Sequence, residues 1–289
     1  MMKGIVLAGG TGSRLWPMTR SVSKQLLPIY DKPMIYYPIS TLMLAGVREI
    51  LIITTERDQA AFRELLGDGS NFGITLSYAV QAEPKGLAQA LLIGEEFLSG
   101  EDCLMILGDN IFHGVGLGTG LRSFLPDSGA HIFLFEVSDP SQYGILRLDQ
   151  NRQPISIIEK PKLSESKLAI TGLYYFDNKA SSVAKSISFS QRGELEITDA
   201  LNHYLQDNSL SFTQLTRGSV WLDTGTVEDL HRASSYVGII EERTSLKIAC
   251  LEEIAYKFNW ISADQLHKAS ESYGTSSYGK YLAKLCSIN

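Results

Sequence analysis

Between positions 3 and 110, short apolar runs alternate with stretches of helical length. Ile5–Ala8, Glu49–Thr54, Ile74–Val80 and Leu104–Leu107 read as strands, because each is short, apolar and bounded by turn residues. Pro33–Ala45, Arg57–Leu66 and Lys85–Leu98 read as the helices between them, with Gly46 placed to close the first. Such alternation predicts an α/β fold with a mostly parallel sheet and helices on both faces. From Ala130 the texture changes. Ile132–Val137, Gly144–Leu148, Ile155–Ile158 and Ile170–Phe176 are strands separated by turn signals, expected to add an antiparallel layer to the sheet. Glu196–Leu205 reads as a helix and Gly218–Leu222 as a strand. Thr226 with Asp229 forms a capping-box-like start to a further helix. Ala249–Phe258, Ala263–Glu271 and Ser277–Leu285 are helical, so the region after Glu241 is the one plausible appendage.

The first strand runs at once into Gly9-Gly10-Thr11-Gly12-Ser13-Arg14. Glycines after a strand let backbone N–H groups converge into an anion cradle. Arg14 adds a fixed, permanently charged fork suited to phosphate oxygens, with Lys24 and Lys32 close behind. On the glycines alone, a tight packing turn is an equal reading. Two better-known loops fail here. A dinucleotide fingerprint counted from Gly10 and Gly12 needs glycine where Leu15 stands, and no Walker string follows this strand. The loop therefore belongs to another class of nucleotide site, and a nicotinamide oxidoreductase is excluded.

A formal net charge of −6 argues against an extended nucleic-acid surface. The three cysteines (Cys103, Cys250, Cys286) stand far apart without a C-x-x-C, which predicts buried thiols in a reducing cytoplasm. No segment has the ~18 consecutive apolar residues of a membrane helix, and no signal peptide is expected.

Several strand ends carry polar residues. Ligands of open α/β sheets sit beyond the carboxyl ends of the strands, so Asp109 should face the same crevice as the glycine loop. It could hold Mg²⁺ against phosphate oxygens, or simply cap a turn with Asn110. Asp223, in Trp221-Leu222-Asp223-Thr224-Gly225, could be its partner on the metal or a favourable charge at a helix N-terminus. A lone D-T-G in this context excludes an aspartic protease. Lys160 could grip a phosphate, although a charge cluster at a strand end is more often solvated surface. Gln81 offers the donor and acceptor that a pyrimidine imide edge requires, a property shared by many glutamines without that role. No H-E-x-x-H, nucleophile elbow or Ser-His-Asp arrangement is present. A sugar phosphate needs no general base, because its second pKa of about 6 leaves it mostly ionised at neutral pH.

With these residues assembled, the chain resembles the glucose-1-phosphate thymidylyltransferases, sugar nucleotidyltransferases that make dTDP-glucose. The strings that carry the resemblance are G-G-T-G-S-R-L at 9–15, K-Q-L-L-P at 24–28, Y-D-K-P-M-I-Y-Y-P at 30–38, P-K-G-L-A at 84–88, L-G-D-N at 107–110, E-K-P at 159–161, G-E-L-E-I-T-D at 193–199 and W-L-D-T-G at 221–225. The family pattern continues through C-L-E-E-I-A at 250–255 and Y-G-K-Y-L at 278–282. The resemblance implies a Rossmann-like three-layer α/β/α nucleotidyltransferase fold with a mostly parallel mixed sheet. It implies a core over 1–240 and a helical C-terminal region over 241–289 serving subunit contact or regulation. It also implies attack of glucose 1-phosphate on the α-phosphorus of dTTP, with Mg²⁺ as cofactor and pyrophosphate leaving. Arg14, Lys24 and Lys160 would be catalytic. Leu7, Gly9, Gly10, Thr11, Gly12, Gln81, Gly86 and Asp109 would bind the nucleotide with Arg14 and Lys24. Asn110, Tyr143, Gly144, Glu159, Lys160, Thr171, Tyr174 and Trp221 would surround the sugar phosphate, and Asp109 and Asp223 would hold the metal. The family assembles as a homotetramer with feedback by a dTDP-sugar at a subunit interface. It acts in dTDP-deoxysugar (for example dTDP-rhamnose) synthesis, and neither nucleic acid nor membrane is a partner. His113-Gly114-Val115-Gly116 departs from the family pattern, which has a tyrosine, near the region associated with regulation.

Two rival functions follow from the residues. The same chemistry with UTP is compatible with Gln81, which pairs with uracil as well as with thymine. A non-catalytic regulatory subunit would show a damaged site, whereas Arg14, Lys24, Asp109, Lys160 and Asp223 are all present.

Overall fold

The computed structural model describes residues 2–114, 116–118 and 120–287; Val115, in the stretch that departs from the family pattern, lies outside them. The chain opens with β1 (Lys3–Ala8) and a small hairpin of β2 (Pro28–Ile29) and β3 (Lys32–Pro33). Next come α1 (Tyr36–Leu44), β4 (Glu49–Thr54), α2 (Gln59–Leu66), β5 (Thr75–Val80), and the short helices α3 (Gln89–Ile93) and α4 (Glu95–Leu98). β6 (Cys103–Leu107) and β7 (Asn110–His113) precede four strands: β8 (Ala130–Glu136), β9 (Gly144–Leu148), β10 (Pro154–Glu159) and β11 (Leu168–Phe176). Then follow α5 (Ala180–Ser186), α6 (Ile197–Gln206), β12 (Leu210–Gln214) and β13 (Val220–Asp223). Four helices close the chain: α7 (Val227–Thr244), α8 (Leu251–Lys257), α9 (Ala263–Ser272) and α10 (Ser277–Ser287).

The main sheet has nine strands along the path β10-β9-β11-β6-β1-β4-β5, with β8 on β11 and β12 on β8. β1 pairs in parallel with both β4 and β6, and β4 pairs in parallel with β5. β11 lies antiparallel to β6, and β8, β9 and β10 extend that antiparallel half. The sheet is therefore mixed, and the second layer expected after Ala130 is part of it. Successive side chains of a strand point to opposite faces. Val6 and Ala8 accordingly pack with α1, α2 and the C-terminal α8–α10, whereas Ile5 and Leu7 pack with α3, α5 and α6. This is the three-layer α/β/α arrangement.

Two local outcomes differ from the sequence expectation. The helix expected over Lys85–Leu98 begins only at Gln89, because the preceding segment is held against Leu195. Leu195 N–H donates to Lys85 O at 2.7 Å, and Ala88 N–H donates to Leu195 O at 3.1 Å. Gly86 has φ +105°, and a Cβ there would stand 2.3 Å from Leu195 O, so only glycine permits this contact. The second difference is β7: the sequence reading assigns no strand to Asn110–His113, which pairs antiparallel with β13.

The boundary expected after residue 240 falls inside α7, beside a buried ionic cluster. Lys32 Nζ donates to Glu241 Oε1 at 2.9 Å and to Asp31. Lys247 Nζ donates to Glu241 Oε2 at 2.9 Å and to Asp31. The Ile248 N–H donates to Glu241 Oε1 at 2.9 Å. Burial works to raise the Asp31 carboxyl, and the Lys32 and Lys247 charges more than offset it, holding it below its ordinary value. Removing one partner of a buried ion pair strands the remaining charges. Glu241→Ala is expected to cost about 3–5 kcal/mol in urea unfolding. A loss below about 1 kcal/mol, the scale of an exposed pair, would mean that the cluster does not anchor α7.

Candidate active site

Strands β1, β4, β5 and β6 end on one edge of the sheet, and β1 lies between β4 and β6. Such a reversal of strand order leaves a crevice beyond the carboxyl ends. The Gly9–Arg14 loop follows β1, Gln81 follows β5 and Asp109 follows β6. The crevice holds two adjoining cavities of about 390 and 230 Å³, which share Gly10, Gln25, Leu87, Leu107, Asp109 and Glu194.

The larger cavity brings together Arg14, Lys24, Asp109 and Asp223. Pairing of β13 with β7 sets Asp223 opposite Asn110, next to Asp109. Thr224 secures that approach: its hydroxyl donates to Asp109 O at 2.8 Å and its N–H donates to the same oxygen at 3.2 Å. Lys24, 7% exposed, donates from Nζ to Asp109 Oδ2 at 2.7 Å. Burial works to raise Asp109, and Lys24's charge and hydrogen bond overcome it, so this carboxyl stays below its ordinary value. Asp223 has no such cation against it. Burial first, and the Asp109 charge second, push it up to about 6. Arg14 lies near: a Cβ on Gly225 would be 3.5 Å from Asp223 Oδ1 and 3.7 Å from Arg14 Nη1. Two hard carboxylates fit a divalent cation completed by phosphate oxygens. Among the described residues no cluster of three or more His, Cys, Asp or Glu could enclose a metal.

The smaller cavity is lined by Leu7, Gln81, Gly86 and Pro84 beside the shared residues. Gln81 is 3% exposed, and its Nε2 donates to Gln89 Oε1 at 2.7 Å, which fixes the orientation of its amide. A Cβ on Gly9 would meet Gln81 Oε1 at 2.1 Å, so Gly9 packs under this glutamine instead of lining the cavity. Thr11 is exposed and also outside both linings, while Gly10 and Gly12 contribute to them.

Tyr143, Gly144, Glu159, Lys160, Tyr174 and Trp221 form the opposite wall of the larger cavity, where β9, β10 and β11 end or bend. Lys160 adopts φ +41°, in the left-handed region that a lysine rarely visits, and its N–H donates to Tyr143 O at 3.0 Å. That turn holds its side chain at the cavity. Gly144 is required, because a Cβ there would lie 2.7 Å from Thr198 Cγ2. Thr171 is fully buried behind the wall, with its hydroxyl unpaired.

Cavity residues to which the sequence reading gives no role include Gln25, Arg192, Thr198 and Gly172. Gln25 is 5% exposed and lines both cavities, with Oε1 accepting from the Ser23 hydroxyl at 2.8 Å. Arg192 bonds both oxygens of Glu194 at 3.1 Å and reaches Glu159 Oε1 at 3.4 Å. Thr198 and Gly172 line the larger cavity. Gln25 and Thr198 sit inside the K-Q-L-L-P and G-E-L-E-I-T-D strings, so their membership of those strings was the available signal.

Comparison with known proteins agrees with this geometry. The family model described as Nucleotidyl transferase matches residues 3–238. A glucose-1-phosphate thymidylyltransferase of Neisseria meningitidis is 51% identical over 285 residues, spanning 98% of this chain and 99% of its own. One from Mycobacterium tuberculosis is 46% identical over 288 residues, with all of both chains covered. Among solved structures, UDP-glucose pyrophosphorylase complexed with UDP-glucose superimposes with a TM-score of 0.74. It is 25% identical and covers 83% of this chain and 100% of that one.

The raised Asp223 carboxyl has a thermodynamic consequence. Its folded value of about 6 lies above its ordinary 3.8, so the fold binds the proton more tightly than the unfolded chain does. The penalty of burying the ionised group is fully present above about 6 and fades as pH falls to 3.8. Asp223→Asn is therefore expected to raise the unfolding free energy at neutral pH by on the order of 1–3 kcal/mol. The gain should vanish toward acid pH, measured by denaturant titration across that range. A variant less stable than wild type at neutral pH would contradict this electrostatic account.

Proposed function

The chain belongs to the nucleotidyl transferase family, within its glucose-1-phosphate thymidylyltransferases, and on that premise we propose that it joins the thymidylyl group of dTTP to glucose 1-phosphate. The products are dTDP-glucose and pyrophosphate. The observation that carries the reading is the convergence of Arg14, Lys24, Asp109, Asp223 and Lys160 on one crevice with a separate polar-ended lobe around Gln81. Identity near one half with thymidylyltransferases, against 25% with the UDP-glucose enzyme, favours dTTP over UTP.

In this reading the base enters the smaller cavity, where Gln81 faces its imide edge and Gly86 lines the wall. The triphosphate follows the glycine loop, with Arg14 and Lys24 meeting the charge that leaves with pyrophosphate. Glucose 1-phosphate sits against Glu159, Gly144 and Tyr174, and Lys160 holds its phosphate. Its dianion attacks without a general base, so the protein's part is alignment and charge stabilisation. Asp109 and Asp223 would hold Mg²⁺, which when bound neutralises phosphate charge and lowers the barrier by several kcal/mol. Tyr174 and Trp221 form a buried part of the wall beside the reacting centre. Such an enzyme works where nucleoside triphosphates are made, in the cytoplasm, supplying dTDP-deoxysugar synthesis. No helix among the described residues is long and apolar enough to cross a membrane. By the same family reading it is a homotetramer whose residues 241–289 serve subunit contact and dTDP-sugar feedback.

Turnover with dTTP and UTP at equal concentration, followed by pyrophosphate release, tests the substrate. A strong preference for dTTP is expected, and a large preference for UTP would replace the reading. Light scattering should report a mass four times that of the chain; a stable monomer would remove the tetramer and with it any interface site.

A further inference from the structure

Asn110, expected to contact the sugar, lines the larger cavity, and its side-chain amide is also bonded to protein at both ends, with one N–H of its NH₂ used. Nδ2 donates to Asp109 Oδ1 at 2.8 Å. Oδ1 accepts from Trp221 Nε1 at 2.6 Å and from the Gly172 N–H at 3.2 Å. Indole and backbone N–H groups are donors only, so both require the amide oxygen on their side. That fixes the orientation of the amide and leaves its NH₂ facing Asp109. Asn110 is 2% exposed. The third partner can approach only because residue 172 is glycine: a Cβ there would lie 2.5 Å from Asn110 Oδ1. Strands β7, β11 and β13 thus meet at one amide.

On the other side of the carboxylate, Lys24 Nζ takes Oδ2 at 2.7 Å. The two oxygens of Asp109 are gripped separately, one by a cation and one by a neutral donor. The terminal torsion of an aspartate is otherwise broad. A carboxylate that must meet a metal gains from having that torsion fixed before the metal arrives, as outer-shell partners of ligands do elsewhere.

We propose that Asn110 is a positioning residue, locked by Trp221 and Gly172, that sets the Asp109 carboxylate for the divalent cation, a role separate from any contact it makes with the sugar. The proposal rests on the nucleotidyl-transfer reading for the presence of that cation. Asn110→Asp tests it almost isosterically. The new carboxylate keeps an oxygen toward Trp221 and Gly172 and replaces the donor facing Asp109 by a second acceptor. Trp221→Phe tests the lock itself, since it keeps the ring beside Tyr143 and Phe135 while removing the N–H.

Mn²⁺ affinity of the complex with a non-hydrolysable dTTP analogue, read by electron paramagnetic resonance without sugar phosphate, is the measurement. Asn110→Asp should weaken it about tenfold or more, a loss read with no sugar phosphate present. Trp221→Phe should shift Mn²⁺ affinity in the same direction, and it carries the test if Asn110→Asp fails to give a cooperative thermal melt. Unchanged Mn²⁺ affinity would overturn the proposal, whatever happens to KM for glucose 1-phosphate. A wild-type complex with no Mn²⁺ affinity would overturn it too. A wild-type chain that binds Mn²⁺ and nucleotide but turns over neither dTTP nor UTP would sink the functional reading alone.

Discussion

Antiparallel pairing of β7 with β13 forces two carboxylates into one cavity, and much of the site is arranged around that constraint. Thr224, without exposed surface, ties the two strand ends together through Asp109 O, so Asp109 and Asp223 cannot drift apart to relieve their repulsion. Lys24 bonds directly to Asp109 and holds it low, whereas at Asp223 burial and the Asp109 charge outweigh the more distant Lys24 and Arg14 charges and push it up. Like charges held close in a partly buried place are a standing cost to the fold. A cation that binds only the folded state would recover that cost. The unequal treatment of the pair is thus a structural reason to expect a divalent ion, independent of any resemblance.

Strands β1, β4 and β6 were legible because they are buried almost throughout and read as apolar runs. Glu49–Thr54 matches β4 from end to end for this reason, and Gly144–Leu148 matches β9 because glycine marks its start. β7 was not legible. Asn110–His113 follows a Gly-Asp turn, is only four residues long, and owes its strand form to a partner more than a hundred positions away. β12 escaped for a related reason: Leu-Ser-Phe-Thr-Gln is half-buried along its whole length and shows no clean apolar side until β8 lies beside it. The helix expected over Lys85–Leu98 failed at its first turn, where the contact with Leu195 competes with helical hydrogen bonds.

The candidate site divides along the same line. Arg14, Gln81, Asp109 and Asp223 stand at or just past the ends of strands, where chain order alone tells that a side chain can reach a crevice. Arg192 reaches the larger cavity from an irregular segment before α6, and Gln25 from a single turn of 3-10 helix. Neither position has a periodicity that would announce it. Asn110 is the instructive case. Its place beside Asp109 is evident from sequence, but its role depends on two donors brought by Gly172 and Trp221, one across β11 and the other across β13.

Lys24 gives the C-terminal helices a physical connection to this chemistry. The segment that carries it is fastened at both ends: Ile35 N–H donates to Gln25 O and Met34 N–H donates to Leu27 O, each at 2.9 Å. Asp31 and Lys32, within the same loop, enter the buried cluster with Glu241 and Lys247. Ile248 and Ala249, just beyond that cluster, pack with Ile29, Met34 and α7 in one apolar core. The cation that compensates Asp109 is therefore held in place by contacts reaching to the start of α8. The residues just after α7 thus pack against the same loop that carries Lys24. Any force that shifts α7 against the β2–β3 hairpin acts on a loop that ends at Lys24, and so on the balance of charge between the two aspartates.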